Sequence, residues 1–94
     1  MSIVVRFSPR SLTAETYDTV LSQLKGADFW PPDGLDYHVA FGSDGDLKVS
    51  EIWDSREQFQ AFGEHLMPIL REAGIEFAGE PEIFEGHNVE KPRG

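Results

Sequence analysis

The dipeptide Asp44-Gly45 constrains the fold more than any other feature of the sequence, because it separates two segments in which apolar and polar residues alternate. The segments cover residues 37–41 and 47–53 and are rich in β-branched and aromatic side chains, which is typical of β-strands. Asp-Gly is favoured at the centre of two-residue hairpin loops, where the backbone adopts positive φ angles. We therefore predict an antiparallel β-hairpin across residues 37–53.

The length of the loop sets the register of the two strands. A two-residue loop pairs Ser43 with Asp46. The same register then places His38 directly opposite Glu51. A three-residue loop would instead pair Tyr37 with Glu51, and every partner would change face. We adopt the two-residue loop and keep the other register as the alternative.

The two-residue loop divides the side chains between two faces, because side chains alternate along a strand. One face carries a histidine, a carboxylate and an aromatic side chain among small residues, namely His38, Ala40, Val49, Glu51 and Trp53. The other face is more apolar and carries Tyr37, Val39, Phe41 and Ile52. We expect the apolar face to pack against helices, and the face with His38 to form a small-molecule pocket on the side away from the helices.

The remaining elements give the order β-α-β-β-α-β. Strands are predicted at residues 3–7, 37–41, 47–53 and 82–89. Thr13 and Ser55 are predicted to cap two helices, which end at Gly26 and Gly74, and Pro68 is expected to bend the second helix near residues 64–67. This order is typical of an α+β ferredoxin-like fold, with two helices on one face of a four-stranded antiparallel sheet. The uncovered face is then available to a partner or a ligand.

The segment ADFWPPDGLD is predicted to be a loop, because Pro and Gly interrupt both helical and strand patterns. It carries Phe29 and Trp30, which we expect to cover the edge of the core. A loop that gates a ligand or contacts another subunit is the alternative.

Composition excludes several classes of protein. The net charge is −9 and the eight Lys and Arg residues are scattered, so neither nucleic acid nor an anionic membrane is an expected partner. The absence of Cys excludes disulfides and thiolate chemistry. With 94 residues and no long apolar segment, residues 1–94 are expected to form one cytoplasmic domain.

Each candidate site residue also has a purely structural explanation. Trp53 at a strand end could belong to the core, Glu51 could pair with a surface cation, and His38 could be a hydrogen-bonded interior imidazole. His65 lies one position off the apolar stripe of the second helix, where it could hydrogen-bond near the Pro68 bend. No pair of histidines has the spacing of a metal site, and no phosphate loop or dinucleotide fingerprint is present, so no metal or cofactor is expected.

The segment EIWDSREQFQAFGEHLMP, residues 51–68, resembles the strand-to-helix signature of the dimeric α/β-barrel superfamily, in particular its antibiotic-biosynthesis monooxygenase-like branch. The matching positions are Glu51, Trp53, Asp54-Ser55, Phe59, His65 and Pro68. The predicted order of elements extends the resemblance over most of the chain. The segments WDSREQFQAF, LMPILREAGI and HNVE are similar to a small, uncharacterised actinobacterial subgroup.

The resemblance implies a homodimer in which two sheets pack through their uncovered faces and form a barrel. Active relatives hold one pocket in each half, and some oxidise aromatic polyketides or quinols with dioxygen and no cofactor. Trp53, His65 and Arg6 are the candidate ligand-binding residues here. Arg6 lies on the first strand, which lacks the Asn common in oxygenases of this type, and this absence argues against haem degradation.

Two functions fit these residues. The protein could be a non-catalytic or accessory dimer that binds a small aromatic ligand. It could instead be a cofactor-independent monooxygenase or isomerase, in which His38, oriented by Glu51, deprotonates an acidic phenol or enol held against Trp53. A cavity that both His38 and Glu51 face would favour catalysis, whereas an interior filled with Phe and Trp would favour a structural role.

Overall fold

Four strands and two helices follow one another in the predicted order in the computed structural model, which describes residues 2–92. The strands are β1 Ile3–Phe7, β2 Leu35–Phe41, β3 Lys48–Trp53 and β4 Glu82–Glu85. The helices are α1 Ala14–Gly26 and α2 Arg56–Glu72. The strands form one antiparallel sheet in the order β2-β3-β1-β4, which is the ferredoxin-like arrangement, so the predicted α+β fold class is confirmed.

The hairpin has the predicted two-residue loop. The Asp46 backbone N–H donates to the Ser43 carbonyl at 2.8 Å across Asp44-Gly45, and the φ of Gly45 is 90°, which glycine adopts without steric cost. His38 lies opposite Glu51, as predicted. The register predicted from Asp44-Gly45 is therefore confirmed, although β2 begins at residue 35, two residues earlier than expected.

The assignment of faces is wrong, although the grouping of side chains on each face is right. The helices cover the face that carries Glu51 and Trp53, which are 3% and 0% exposed. Tyr37, 55% exposed, lies on the uncovered face with Val39, Phe41 and Ile52. The reason is that Glu51 pairs with Val5 of β1, which is fully buried. The two side chains share one face of the sheet, so the face that carries Glu51 also lies towards the helices.

The core lies between this face and the two helices. It contains side chains from β1, β3, α1 and α2, namely Ile3, Val5, Val20, Leu24, Trp53, Phe62 and Leu70. The rings of Trp53 and Phe62 pack at 5.6 Å between centroids. Burying aromatic and aliphatic surface of this kind is the main favourable contribution to folding.

Both predicted N-caps are present. The Thr13 hydroxyl accepts from the Thr16 backbone N–H at 3.1 Å, and the Ser55 hydroxyl accepts from the Gln58 backbone N–H at 3.2 Å. The start of α1 is also held by the hairpin, because the Asp44 carboxylate accepts from the Ala14 backbone N–H at 2.9 Å. Each bond satisfies a donor that the first turn of a helix leaves without an intrahelical partner.

The two helices end with the same backbone motif but with different residues. Gly74, with a φ of 74°, ends α2, and the Ile75 N–H bonds back to the carbonyl of residue 70. Gly26 was predicted to play this role in α1, but it is the last helical residue, and Asp28 adopts the left-handed conformation with a φ of 63°. Asp is one of the few other residues that tolerate this conformation, so the helix gains half a turn.

Of the last two elements, helix α2 has the expected extent and strand β4 is shorter than predicted. Helix α2 continues through Pro68 to Glu72, as expected, and the bend near residues 64–67 stays a prediction. Strand β4 ends at Glu85 rather than at residue 89. No helix within residues 2–92 is both long and apolar enough to span a membrane.

Two glycines provide a matched test of the helix-ending motif, because a Cβ at either position would meet nothing within 4 Å. Gly74→Ala should destabilise the protein by about 1–2 kcal/mol, since an L-residue is disfavoured at positive φ. Gly63→Ala, inside α2, should stabilise it by about 1 kcal/mol, since Ala is the better helix former. Thermal melts at one protein concentration should therefore shift in opposite directions. Shifts of the same sign would contradict this account.

Candidate active site

The candidate site is built around the carboxylate of Glu51, which is buried on β3 near the middle of the sheet. Its Oε2 lies 2.6 Å from Nδ1 of His38. Its Oε1 accepts a hydrogen bond from the indole N–H of Trp53 at 2.9 Å. Trp53 is two residues further along β3 and therefore lies on the same face. Both carboxylate oxygens thus have a donor, which is the condition for burying a charged group.

His38 is oriented by this carboxylate. It lies on the neighbouring strand directly opposite Glu51, where side chains are close enough to interact. A carboxylate accepts hydrogen bonds, so the hydrogen-bond network assigns the proton of a neutral imidazole to Nδ1. The other nitrogen, Nε2, is then basic, and it lies 2.7 Å from the hydroxyl of Tyr17. We refer to these hydrogen-bonded side chains as the Tyr17–His38–Glu51 triad.

Tyr17 reaches the site from α1. Burial raises the pKa of its hydroxyl above 10.0, and the negative charges of Asp18 and Glu51 raise it further. The hydroxyl is therefore protonated at neutral pH and donates to Nε2. Tyr17 was not among the predicted site residues, because its spacing with Leu21 and Leu24 at i, i+4 and i+7 marks it only as part of the apolar stripe of the first helix. The hydroxyl of a tyrosine on a buried helical stripe needs a polar partner, and this requirement could have indicated that Tyr17 contacts a polar side chain in the interior.

A cavity of about 80 Å³ lies between the sheet and the helices. Tyr17, His38 and Glu51 are among its lining residues, but their polar atoms bond to one another, and the surface of the cavity is almost entirely apolar. The other lining residues include Phe7, Leu24, Trp30, Phe62, Leu66 and Phe77. A dry engineered cavity of about 150 Å³ admits benzene, so this cavity in its present shape is smaller than one aromatic ring requires. A ring-sized ligand would enter only if the walls moved apart.

The loop aromatics complete the wall beside the triad. Phe29 and Trp30 are half-buried and pack against the core, as expected for residues that cover its edge. The Trp30 ring meets His38 edge-on, with 5.0 Å between ring centroids and 83° between planes. Its position at the cavity keeps the alternative of a ligand-gating loop open.

The structure brings together three of the five residues predicted for the site. His38 and Glu51 line the cavity, and Trp53 contacts Glu51 from within the core without reaching the cavity. Arg6 is exposed on the opposite face of the sheet. His65 is exposed on α2, where it stacks on Phe29 with 4.2 Å between ring centroids, outside the cavity.

The arrangement can accept and hold a proton. When Nε2 of His38 is protonated, the imidazolium lies beside the Glu51 carboxylate, and the opposite charges stabilise each other in a site of low polarity. Within residues 2–92, no three His, Asp or Glu side chains lie close enough together to hold a metal ion. The side chains of the triad can take part in acid–base chemistry.

No family model and no curated protein matches the chain. Solved structures do match over almost its whole length. SnoaB, a cofactor-independent oxygenase from Streptomyces nogalater, is 15% identical, with a TM-score of 0.59 over 94% of this chain and 93% of that chain. A putative antibiotic biosynthesis monooxygenase from Chloroflexus aurantiacus is 16% identical, with a TM-score of 0.59 over 96% and 95%.

A third similar structure has no assigned activity. NE2512 from Nitrosomonas europaea, a protein of unknown function, is 16% identical, with a TM-score of 0.59 over 99% of this chain and 94% of that chain. At such identities the likeness shows the fold alone. The chain thus has the ferredoxin-like fold seen in antibiotic-biosynthesis monooxygenase-like proteins, and its place in an actinobacterial subgroup stays a prediction.

Replacing Glu51 tests whether the carboxylate is the acceptor that holds the site together. Glu51→Gln conserves volume but turns an NH₂ group towards either Trp53, where one donor faces another, or His38, whose imidazole must then change tautomer. We expect a loss of about 1.5–3 kcal/mol in the free energy of unfolding, measured by urea denaturation. Glu85→Gln, at an exposed glutamate on β4, should change it by less than about 0.5 kcal/mol. Equal effects of the two variants would rule out this role for Glu51.

Proposed function

We propose that the protein is an enzyme that removes a proton from a small aromatic phenol or enol, or from the keto form of such an enol, bound in the cavity. His38 is the general base and Glu51 orients it. The observation that carries the proposal is the hydrogen bond of 2.6 Å between Nδ1 of His38 and the buried Glu51, which leaves Nε2 as the basic nitrogen, next to the Tyr17 hydroxyl.

The surroundings of His38 support this role. Proton transfer creates an imidazolium, and the adjacent carboxylate stabilises that charge without any rearrangement of solvent. A correctly placed general base contributes about 10²–10⁴-fold to the rate of a proton transfer. The aromatic walls, among them Trp30 and Phe62, favour a flat, apolar ligand with a single acidic group.

The anion that forms has two possible fates. It can be protonated again at another atom, which is an isomerisation. It can also react with dioxygen, in which case a methylene group becomes a carbonyl, one oxygen atom enters the product and the other leaves as water. SnoaB is a cofactor-independent oxygenase with the same fold, and this likeness supports the second fate as the one to test first.

Non-catalytic binding is the second candidate function, and the almost entirely apolar surface of the cavity favours it. A volume of about 80 Å³ is too small for an aromatic ring without movement of the walls. In that function the His38–Glu51 pair would hold a polar group of the ligand, and no bond would be broken.

Exchange of hydrogen for deuterium in anthrone separates the two functions. Anthrone has an acidic methylene group beside an aromatic ketone system, and exchange in D₂O without oxygen reports proton removal alone. We expect the wild-type protein to accelerate exchange above the buffer rate, as followed by proton NMR. His38→Gln should lower the enzymatic rate by about 10²–10⁴-fold. Oxygen uptake by the same mixture in air then tests the second fate of the anion.

His65→Gln is the matched control, because His65 is exposed and lies outside the cavity. This variant should exchange anthrone at the wild-type rate. If wild-type protein binds anthrone but leaves exchange at the buffer rate, the protein is a binder and not an enzyme. If His38→Gln exchanges as fast as wild type, His38 is not the base.

We also propose that the protein forms a homodimer through the uncovered face of its sheet. Tyr37, Phe41 and Phe84 are exposed there, beside the half-buried Val39 and Ile52. A contiguous apolar surface of this kind is unusual in a monomer. A second copy of the same sheet would cover it, since sheets pack face to face at about 10 Å.

Charge placed on this face should separate the subunits. Wild-type protein at micromolar concentration should show twice the monomer mass of 10.6 kDa by light scattering. The double variant Tyr37→Lys with Phe84→Lys should show the monomer mass, because burying two unpaired ammonium groups is costly. Met67→Lys, at a similarly exposed apolar residue on α2, should remain dimeric. A monomeric wild type would refute the proposed dimer.

A further inference from the structure

We infer that Tyr17, rather than His38, is the group that touches the ligand, and that the proton passes through the Tyr17 hydroxyl to reach His38. This inference rests on the proposed function and assigns its chemistry to one more residue. Tyr17 is then the catalytic residue, and His38 acts through it.

The first step concerns the acceptor capacity of His38. In a neutral imidazole with its proton on Nδ1, Nε2 has one in-plane lone pair and accepts one hydrogen bond. The Tyr17 hydroxyl occupies that position at 2.7 Å. The edge of Trp30 packs against the same ring, and Glu51 occupies the opposite nitrogen. A ligand therefore cannot bond to Nε2 while the contact with Tyr17 persists.

The second step concerns the capacity of Tyr17 to bind a ligand. A phenolic hydroxyl donates one hydrogen bond and has lone pairs that accept others. Its single proton is used towards His38, and within residues 2–92 no donor bonds to its oxygen. The Tyr17 side chain lines the cavity, so its oxygen can accept a hydrogen bond from a ligand once the walls have moved apart to admit one. The hydroxyl is thus positioned to accept from a ligand and to donate to His38 at the same time.

The third step is the proton transfer itself, which needs no added reactant. The bond between the ligand and its acidic hydrogen breaks, and that proton forms a new O–H bond on Tyr17. The original Tyr17 proton moves to Nε2 of His38. Tyr17 ends neutral, the ligand becomes an anion, and the imidazolium lies beside Glu51. The reverse sequence returns a proton to the ligand.

This route agrees with the protonation state of the free site. Burial raises the pKa of the Tyr17 hydroxyl, so a free phenolate is disfavoured. Two linked transfers avoid that phenolate, because Tyr17 gains a proton as it loses one. A ligand that displaced Tyr17 would instead have to break the bond of 2.7 Å and leave the half-buried hydroxyl without a partner.

The experiment is the exchange of anthrone in D₂O without oxygen, with Tyr17→Phe, which removes only the hydroxyl. We expect kcat to fall by about 100-fold or more, with KM changed by less than about threefold, because the hydroxyl acts in the transfer. Tyr37→Phe, at the other tyrosine, lies on the far side of the sheet and should keep the wild-type kcat. Thermal melts check that both variants are folded.

A second measurement needs no variant. The rate of anthrone oxidation in air is measured in mixtures of H₂O and D₂O. In the relay the proton of the Tyr17 hydroxyl is the one solvent-exchangeable proton that moves, since the proton of the ligand is bound to carbon, so the rate should fall linearly as the deuterium fraction rises. Direct transfer from the ligand carbon to Nε2 of His38 moves no solvent-exchangeable proton, and the rate would then be almost independent of the deuterium fraction.

The outcomes separate this inference from the proposed function. If Tyr17→Phe keeps more than about a tenth of the wild-type kcat, or is faster, while His38→Gln is inactive, then His38 contacts the ligand directly. That result overturns the inference and leaves the proposed function standing, and a rate that does not depend on the deuterium fraction has the same meaning. If wild-type protein does not accelerate exchange, both are overturned. A large loss in Tyr17→Phe with a linear decrease of the rate in deuterium supports the relay.

Discussion

The burial of the Glu51 carboxylate is the constraint on which the rest of the site depends. An isolated carboxylate in a protein interior costs several kcal/mol, and it is tolerated only if its oxygens find donors. Here the two donors come from Trp53 on the same strand and from His38 on the next. The same bonds therefore offset the cost of burying the charge, fix the orientation of the imidazole and leave its second nitrogen to bond with Tyr17.

Local sequence features were enough to predict much of the fold. Asp44-Gly45 predicted the loop, the register and the meeting of His38 with Glu51, because these depend on residues close together in the chain. Thr13 and Ser55 predicted where the helices begin for the same reason. Gly26 failed as the end of α1 because Asp28, two residues later, could adopt the same left-handed conformation.

The orientation of the hairpin could not be predicted in this way. Hydropathy ranks Tyr37 and Phe41 above His38 and Glu51, yet the polar pair is buried. Which face of the hairpin is buried depends on the pairing of β1 with β3, which are more than forty residues apart in sequence. It also depends on hydrogen bonds that offset the cost of burying polar groups. Tyr17 was missed for a related reason, since its position in an apolar stripe gives no sign of what its hydroxyl meets.

The bond between Asp44 and the first turn of α1 has a consequence for the evolution of the protein. It ties the hairpin turn to the helix that carries Tyr17, while the strand entering the same turn carries His38. A residue inserted into the turn would move Asp44 away from α1 and would also turn His38 to the other side of the sheet. Surface loops usually vary in length among related proteins. In this protein the length of a surface turn is tied to the chemistry of the interior, so descendants that keep the triad should keep this turn at two residues.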